Sequence, residues 1–374
     1  MSNHNYQLKS RTMFKVKELS FEGETIFVGL DVHKTNWKVH IRLSGGRTLE
    51  FSQNPEAAGL IRTLNNKFPK ATFKVAYEAG FCGFGICRYL KAEGIDCIVA
   101  NAADIPASEK DRKRKDDKRD ARKISLELSK GTLEGIYIPE TEIERVRALV
   151  RLRATFVKEQ TAAINRLKHF LHCYGIVIDE KVGRISNRIL EKLEAFKGES
   201  GVEKKTLKLL IRDYKEKRAL VLEATKDLRE LSQSEGLNKT QTLLKSVDGV
   251  GLITAMVVQT EIMDIKRFKN NDRLKGFIGL VPDISNSNDR TRVLGMTRRA
   301  NQHLRAVLIE ASWTAIRKDT ALLKLYQQYS LRMNKNKAII RIASHLVARI
   351  RAVWLTGKPY ERGVIAKKAA LAAP

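Results

Sequence analysis

The sequence predicts a mixed α/β domain, then long paired helices, then a mainly helical C-terminal unit. Three observations predict it. Residues 25–51 hold three short strand-like runs joined by turns, residues 54–100 alternate helix and strand, and from residue 140 onward apolar residues recur in heptads. TIFVGLD (25–31) is rich in β-formers, NWKVHIRL (36–43) alternates, SGG (44–46) supplies a turn, and RTLEF (47–51) reads as a third strand. Asn54-Pro55 predicts a helix start, with a cap followed by proline at the first helical position, and that helix runs to about Phe68. ATFKVAYEA (71–79) is a fourth strand, 84–93 a helix and DCIVA (96–100) a fifth strand. A meander followed by alternating helices and strands argues a mixed sheet with helices packed on it.

Beyond Glu140, Ile143, Val146, Val150, Val157, Ile164, Leu167 and Leu171 share one heptad frame, and Leu207, Leu210, Tyr214, Val221, Ala224, Leu228 and Leu231 share another. Gly175 and the stretch around Gly198–Gly201 interrupt them. Two long helices, pairing with each other or with a second copy, are the economical reading, although Arg153, Gln160 and Lys217 sit at seam positions. After Asn238 comes a unit containing VDGVG (247–251), GFIGLVP (276–282) and DISNSNDRTR (283–292), which reads as a polar loop. The expected organisation is a flexible leader (1–24), an α/β domain (25–135), a long-helix segment (136–237), a helical unit (238–330) and a very basic segment and tail (331–374).

The 374 residues carry 70 Lys+Arg against 42 Asp+Glu, a net charge of +28. Such an excess repels itself and calls for a polyanionic partner, nucleic acid ahead of an anionic membrane. A hydrophobic content of 43% excludes wholesale disorder, and no apolar run reaches the roughly 18 residues of a membrane span. The polar, basic start does not read as a secretory signal. Cys82, Cys87, Cys97 and Cys173 make no disulfide framework and have no zinc spacing, so reduced thiols are expected.

Two acids sit at strand ends, Asp31 after the first strand and Glu78 within YEAG. Asp117 and Asp120, three apart in RKDDKRDARK, project from one face if that stretch is helical. Carboxylates placed this way suit a hard cation, and nucleases use two Mg²⁺ ions to clamp the attacking and leaving oxygens of a phosphodiester. The surrounding Lys113, Arg114, Lys115 and Arg122 suit a site that also attracts phosphates. Taken singly, a strand-end Asp commonly caps a turn, the 111–122 run also fits a solvated helix face, Asp116 competes as a ligand, and His33 is a possible base. In the third unit Gly249 and Gly251 join two apolar runs, as in a helix-hairpin-helix whose backbone N–H groups approach a phosphate. Ser285, Ser287 and Thr291, with Thr297 just beyond, lie near Arg290, Arg292, Arg298, Arg299 and Arg305 in the sequence, so a hydroxyl could attack phosphorus beside guanidiniums that stabilise the developing charge. The bland readings are a turn serine and, at Thr297, a helix cap.

GLDVHK (29–34), YEAG (77–80), KDDKRDAR (115–122), SVDGVG (246–251), GLVP (279–282) and MTRRANQHLR (296–305) fall in one order. That order resembles the DEDD-type transposases of insertion sequences, a group that includes the bridge-RNA-guided recombinases, over roughly residues 25–330. The resemblance implies a RuvC-like, RNase H-type N-terminal domain with Asp31, Glu78, Asp117 and Asp120 as Mg²⁺ ligands, a coiled-coil segment, and a C-terminal transposase domain. It implies Ser287 as the nucleophile, with Thr297 and Ser285 as spare hydroxyls, in a composite site shared between subunits. Arg298, Arg299 and Arg305 would position the phosphate. It further implies donor and target duplex DNA, an element-encoded guide RNA, a homo-oligomer (dimer or tetramer), a bacterial cytoplasmic location near the nucleoid, and no membrane. Asn288 stands where relatives have glycine after the serine, and Ala300 where they have glycine before Asn301. Other readings of the same residues are a Mg²⁺-dependent junction-resolvase-like endonuclease that uses water, or a non-catalytic RNA- or DNA-binding protein.

Overall fold

The computed structural model describes residues 20–105, 117–177, 185–196, 200–287, 290–297 and 300–362, with the backbone alone at 117–119, 283–287 and 290–294. Residues 1–19 of the expected leader and 363–374 of the basic tail lie outside the described residues. The chain divides into two compact units, Met1–Ile138 and Pro139–Pro374.

The first unit is built on a five-stranded sheet of order β3-β2-β1-β4-β5. Strands β1 (Thr25–Val32), β2 (Trp37–Leu43) and β3 (Thr48–Gln53) form the antiparallel meander. Strands β4 (Thr72–Glu78) and β5 (Asp96–Ala100) run parallel to β1. This mixed sheet is compatible with an RNase H-like domain. Its pleat sorts the side chains. Val28, Leu30, Val75, Tyr77, Cys97 and Val99 face one way and are buried with Leu60 and Leu64 of α1 (Ala57–Lys67) and Cys87 and Leu90 of α2 (Gly85–Ala92). Phe27, Ala76, Ile98 and Ala100 face the other way, against Ile124 and Leu128 of α3 (Asp117–Lys130). Each fully buried Leu or Val contributes about 1.5–3 kcal/mol, so both layers are held firmly.

Helix α1 starts later than the Asn54-Pro55 signal predicts. The Glu56 N–H donates to the Asn54 carbonyl at 2.7 Å, so those two residues make a tight turn, and Glu56 takes the cap position without a side-chain cap bond.

In the second unit α4 (Thr141–Cys173) and α6 (Gly201–Leu231) lie along each other. Arg153 donates to Thr225, and Lys217 pairs with Glu159 at 2.8 Å, so two of the polar seam residues have partners across the pair. Helix α6 opens with a reciprocal cap, in which Ser200 Oγ accepts from the Glu203 N–H and Glu203 Oε2 accepts from the Ser200 N–H. At one end of the pair Leu167, Leu171, Leu207, Ile211 and Tyr214 form a satellite core with α5 (Asn187–Glu194). At the other end Val146, Val150 and Leu228 join the main helical core. That core surrounds α8 (Leu252–Ile262), which follows α7 (Glu235–Lys245) and is apolar on every side until its last turn. It also includes α9 (Asn271–Ile278), α10 (Gln302–Lys318), α11 (Thr320–Ser330) and α12 (Lys335–Thr356).

The expected polar loop at 283–292 is instead part of a β-hairpin, β6 (Pro282–Ser287) with β7 (Arg290–Met296). The run DISNSNDRTR is almost wholly polar, and without apolar alternation no strand signal shows in the sequence. Backbone pairing forms the ribbon regardless. No described helix is long and apolar enough to cross a membrane, and the described cysteines are all free.

Candidate active site

Strand register places the first two acids. Leu30 of β1 pairs with Tyr77 of β4 in a parallel ladder, so Asp31 and Glu78 follow side by side at the C-terminal edge of the sheet. By the pleat both turn to the face that carries Ala76 and α3. Helix α3 approaches that face closely because residue 29 lacks a side chain. A β-carbon at Gly29 would sit 2.2 Å from the Ala121 carbonyl oxygen and 2.6 Å from the Ser125 nitrogen. Opposite Gly29 on β2, buried His40 meets Ser125 Oγ at 2.7 Å, a second tie between sheet and helix. Burial, then the charge of Arg42, lowers the His40 pKa, so the ring stays neutral.

Asp120 immediately precedes Ala121 on α3, with its side chain 43% exposed and Lys123 4.0 Å away. Asp117 is the first residue of α3, and its side chain lies outside the described residues. Asp31 is more enclosed, at 19% exposure, and its Oδ2 lies 3.0 Å from His33 Nε2. Among the described residues no group of three or more His, Cys, Asp or Glu is close enough to hold a metal ion. The donor chemistry nonetheless fits Mg²⁺, because every expected ligand offers carboxylate oxygen and two of them are neighbours on one sheet edge. Arg122 is exposed on α3, while Lys113, Arg114 and Lys115 lie outside the described residues.

In the second unit Ser287 ends β6, in register with Arg290, and Ser285 pairs with Arg292. The side chains of these four, and all of Arg298 and Arg299, lie outside the described residues. What the structure does describe is how the ribbon is anchored. The Thr297 N–H donates to the Val281 carbonyl at 3.2 Å, and the Thr297 carbonyl accepts from Arg305 Nη1 at 2.8 Å. Arg305, expected at a phosphate, thus braces the backbone where the hairpin ends. The cap of α10 is Asn301, whose Oδ1 accepts from the Leu304 N–H; Thr297, the residue the sequence offered for that place, does not take it.

Behind the cap sits a buried charge that sequence reasoning missed. Glu261, 1% exposed at the end of α8, accepts two bonds from the Arg151 fork at 2.7 and 2.8 Å and a third from Asn301 Nδ2 at 2.8 Å. Burial opposes ionisation of Glu261, but the Arg151 and Asn301 bonds with the charge of Arg151 outweigh it and hold the carboxyl below its ordinary value. A single charged residue in the largely apolar run LITAMVVQTEI was the available signal.

Gly249 and Gly251 separate α7 from α8. At Gly249 φ is +89°, and a β-carbon would meet the Ala311 carbonyl oxygen of α10 at 2.5 Å, so close helix packing accounts for this glycine. Gly251 is exposed at the cap position of α8. Asp248, between the helices, holds the Arg362 fork at 2.7 and 2.8 Å.

Comparison with known proteins adds a consistent set of relatives. A family model for IS110-type DEDD transposases matches residues 28–176, and a model described as the transposase IS116/IS110/IS902 family matches residues 241–327. The Sinorhizobium fredii protein named "Putative transposase y4qE" is 26% identical over 339 residues, covering 89% of this chain and 83% of its own. Its like-named relative y4rJ is 27% identical over 386 residues, covering 93% and 95%. The transposase for insertion sequence element IS1111A of Coxiella burnetii is 27% identical over 211 residues, covering 55% and 56%.

Proposed function

The chain belongs to the DEDD transposases of the IS110/IS116 type, and from that premise we propose that it cuts and rejoins DNA strands using a carboxylate-held Mg²⁺ site and a serine nucleophile. The observation that carries the metal half is the register that sets Asp31 beside Glu78, with the helix bearing Asp117 and Asp120 on the same face. These four carboxylates would hold Mg²⁺, which when bound neutralises charge on the scissile phosphate. In the protein's own part of the reaction, Ser287 Oγ attacks phosphorus and forms a phosphoester. The bond to the neighbouring nucleotide oxygen breaks, and that oxygen leaves with a proton. The reverse attack by a DNA hydroxyl completes strand joining without hydrolysis. Arg298 and Arg299 would hold the phosphate, while Arg305 and Asn301 keep the end of the hairpin in place.

The net charge of +28 supports a second polyanion besides DNA, which we assign to an element-encoded guide RNA. The α4/α6 pair leaves Val202, Leu209 and Leu222 exposed on α6, which supports association of copies through this coiled segment. The site of action proposed is the bacterial nucleoid.

The test is to incubate protein, Mg²⁺, element-end RNA and labelled DNA, then denature. Label that stays with wild-type protein and is lost in Ser287→Ala supports the serine. Cleaved DNA with free ends and no adduct would replace it with a water-using endonuclease.

A further inference from the structure

Beyond the carboxylates, the same sheet edge carries an aromatic ring. Phe81 lies three residues after Glu78 and is 64% exposed, against 42% for Tyr89, 40% for Tyr137 and 36% for Leu49, the other exposed large apolar side chains described in the first unit. Leaving that much aromatic surface in water is unfavourable, so its position needs a reason.

The loop that carries it is held firmly. Tyr77, fully buried under the sheet edge, donates its hydroxyl to the Gly83 carbonyl at 2.9 Å and accepts from the Cys87 N–H at 3.3 Å. The Gly83 N–H closes a turn onto the Gly80 carbonyl at 3.2 Å, and the Ala79 N–H donates to Ala100 on β5 at 2.8 Å. Burial raises the Tyr77 pKa, so the phenol keeps the proton it donates. Phe81 is therefore the second residue of a turn braced from beneath. An exposed aromatic ring on a braced turn three residues beyond Glu78 suits one nucleobase, with the strand running on toward the sheet edge that bears the acids.

We propose that Phe81 is a base-stacking residue, which takes one unpaired nucleobase of the DNA strand whose phosphate is presented to Asp31 and Glu78. It acts by positioning, since it contributes no atom to the reaction. The inference rests on the proposed carboxylate site for the direction of the strand, but stacking itself is measurable without Mg²⁺. Base–aromatic stacking is worth about 1–3 kcal/mol, or roughly 5- to 150-fold in affinity.

The experiment measures Kd by fluorescence anisotropy, in EDTA, for single-stranded DNA oligonucleotides carrying one abasic position moved along the strand. Wild type, Phe81→Ala, Phe81→Leu and Phe81→Trp are compared. Phe81→Ala and Phe81→Leu should each weaken binding of intact DNA about ten-fold, while Phe81→Trp binds like wild type. One abasic position should erase the difference between wild type and Phe81→Ala, a coupling that a merely structural role would not produce. Equal affinities for all four proteins, or a loss that no abasic position erases, would overturn the proposal. A loss seen only with RNA oligonucleotides would overturn its assignment to DNA. Failure of the carboxylate reading is separately visible: Asp31→Asn would still cleave DNA in Mg²⁺ while the Phe81 effect persisted.

Discussion

The two halves of the proposed chemistry are held by different forces. In the first unit Asp31 and Glu78 are set by strand register and by how closely α3 reaches the sheet over Gly29 and Ala76, so their placement rests on apolar packing and sterics. In the second unit the segment after Ser287 is set by polar groups, with Glu261, Arg151 and Asn301 behind the cap of α10 and Arg305 on the Thr297 carbonyl. A ladder edge fixes a ligand through the whole sheet. A hairpin end held by a few charge-assisted bonds depends on each of them, and it therefore responds to pH and to single substitutions.

The largest expected effect comes from the acids. Asp31→Asn should reduce strand cleavage to background while nucleic-acid binding and melting temperature stay close to wild type, because the side chain contributes charge and no core packing. A gel assay beside a thermal melt checks this, and retained cleavage would remove the carboxylate site from the account. Next is Glu261→Gln, which leaves Arg151 without its anion. Since Arg151 is 45% exposed and reaches water, the cost should fall at about 2–3 kcal/mol by urea unfolding, below the range for a fully buried pair. Gly29→Ala should cost about 1–3 kcal/mol and lower cleavage as well, because the new methyl meets the α3 backbone and that helix carries two of the acids. A Gly29→Ala protein as active as wild type would break the contrast between the two halves.

The sign of the pH effect follows from the depressed Glu261 carboxyl. Its stabilisation is complete above the unfolded value, about 4.3, and fades as pH falls through the lower folded value. Urea midpoints below about pH 4 should therefore fall more steeply for wild type than for Glu261→Gln. The smallest effect is expected at Arg362→Ala. Its partner Asp248 is held from an exposed guanidinium, so the pair contributes about 0–1 kcal/mol.

Much of this was legible in the sequence, but unevenly. The five strands show as short runs of β-formers, alternating in NWKVHIRL and near-continuous in TIFVGLD, where both sheet faces are covered, and Asp31 and Glu78 close two of them. The long helices show equally well through their heptads, although buried Ile211 falls outside the frame that includes its neighbour Leu210. The hairpin at 282–296 was not legible, since the run DISNSNDRTR is almost wholly polar and carries no apolar alternation. Gly249 illustrates a different limit. The sequence shows two glycines between apolar runs, but the Ala311 carbonyl that explains the first of them belongs to a helix some sixty residues onward. Glu261 and Asn301 meet for the same reason, through a contact 40 residues apart that no local pattern records.

The most direct test of the central claim is to locate the DNA adduct on the chain. After reaction in Mg²⁺, nuclease digestion and trypsin treatment, residues 276–290 form one peptide that contains Ser285 and Ser287, and Thr297 falls on another. The account predicts a nucleotide phosphoester on the 276–290 peptide, with fragment ions placing it on Ser287. A modified peptide carrying Thr297, or cleaved DNA with no modified peptide, would contradict it.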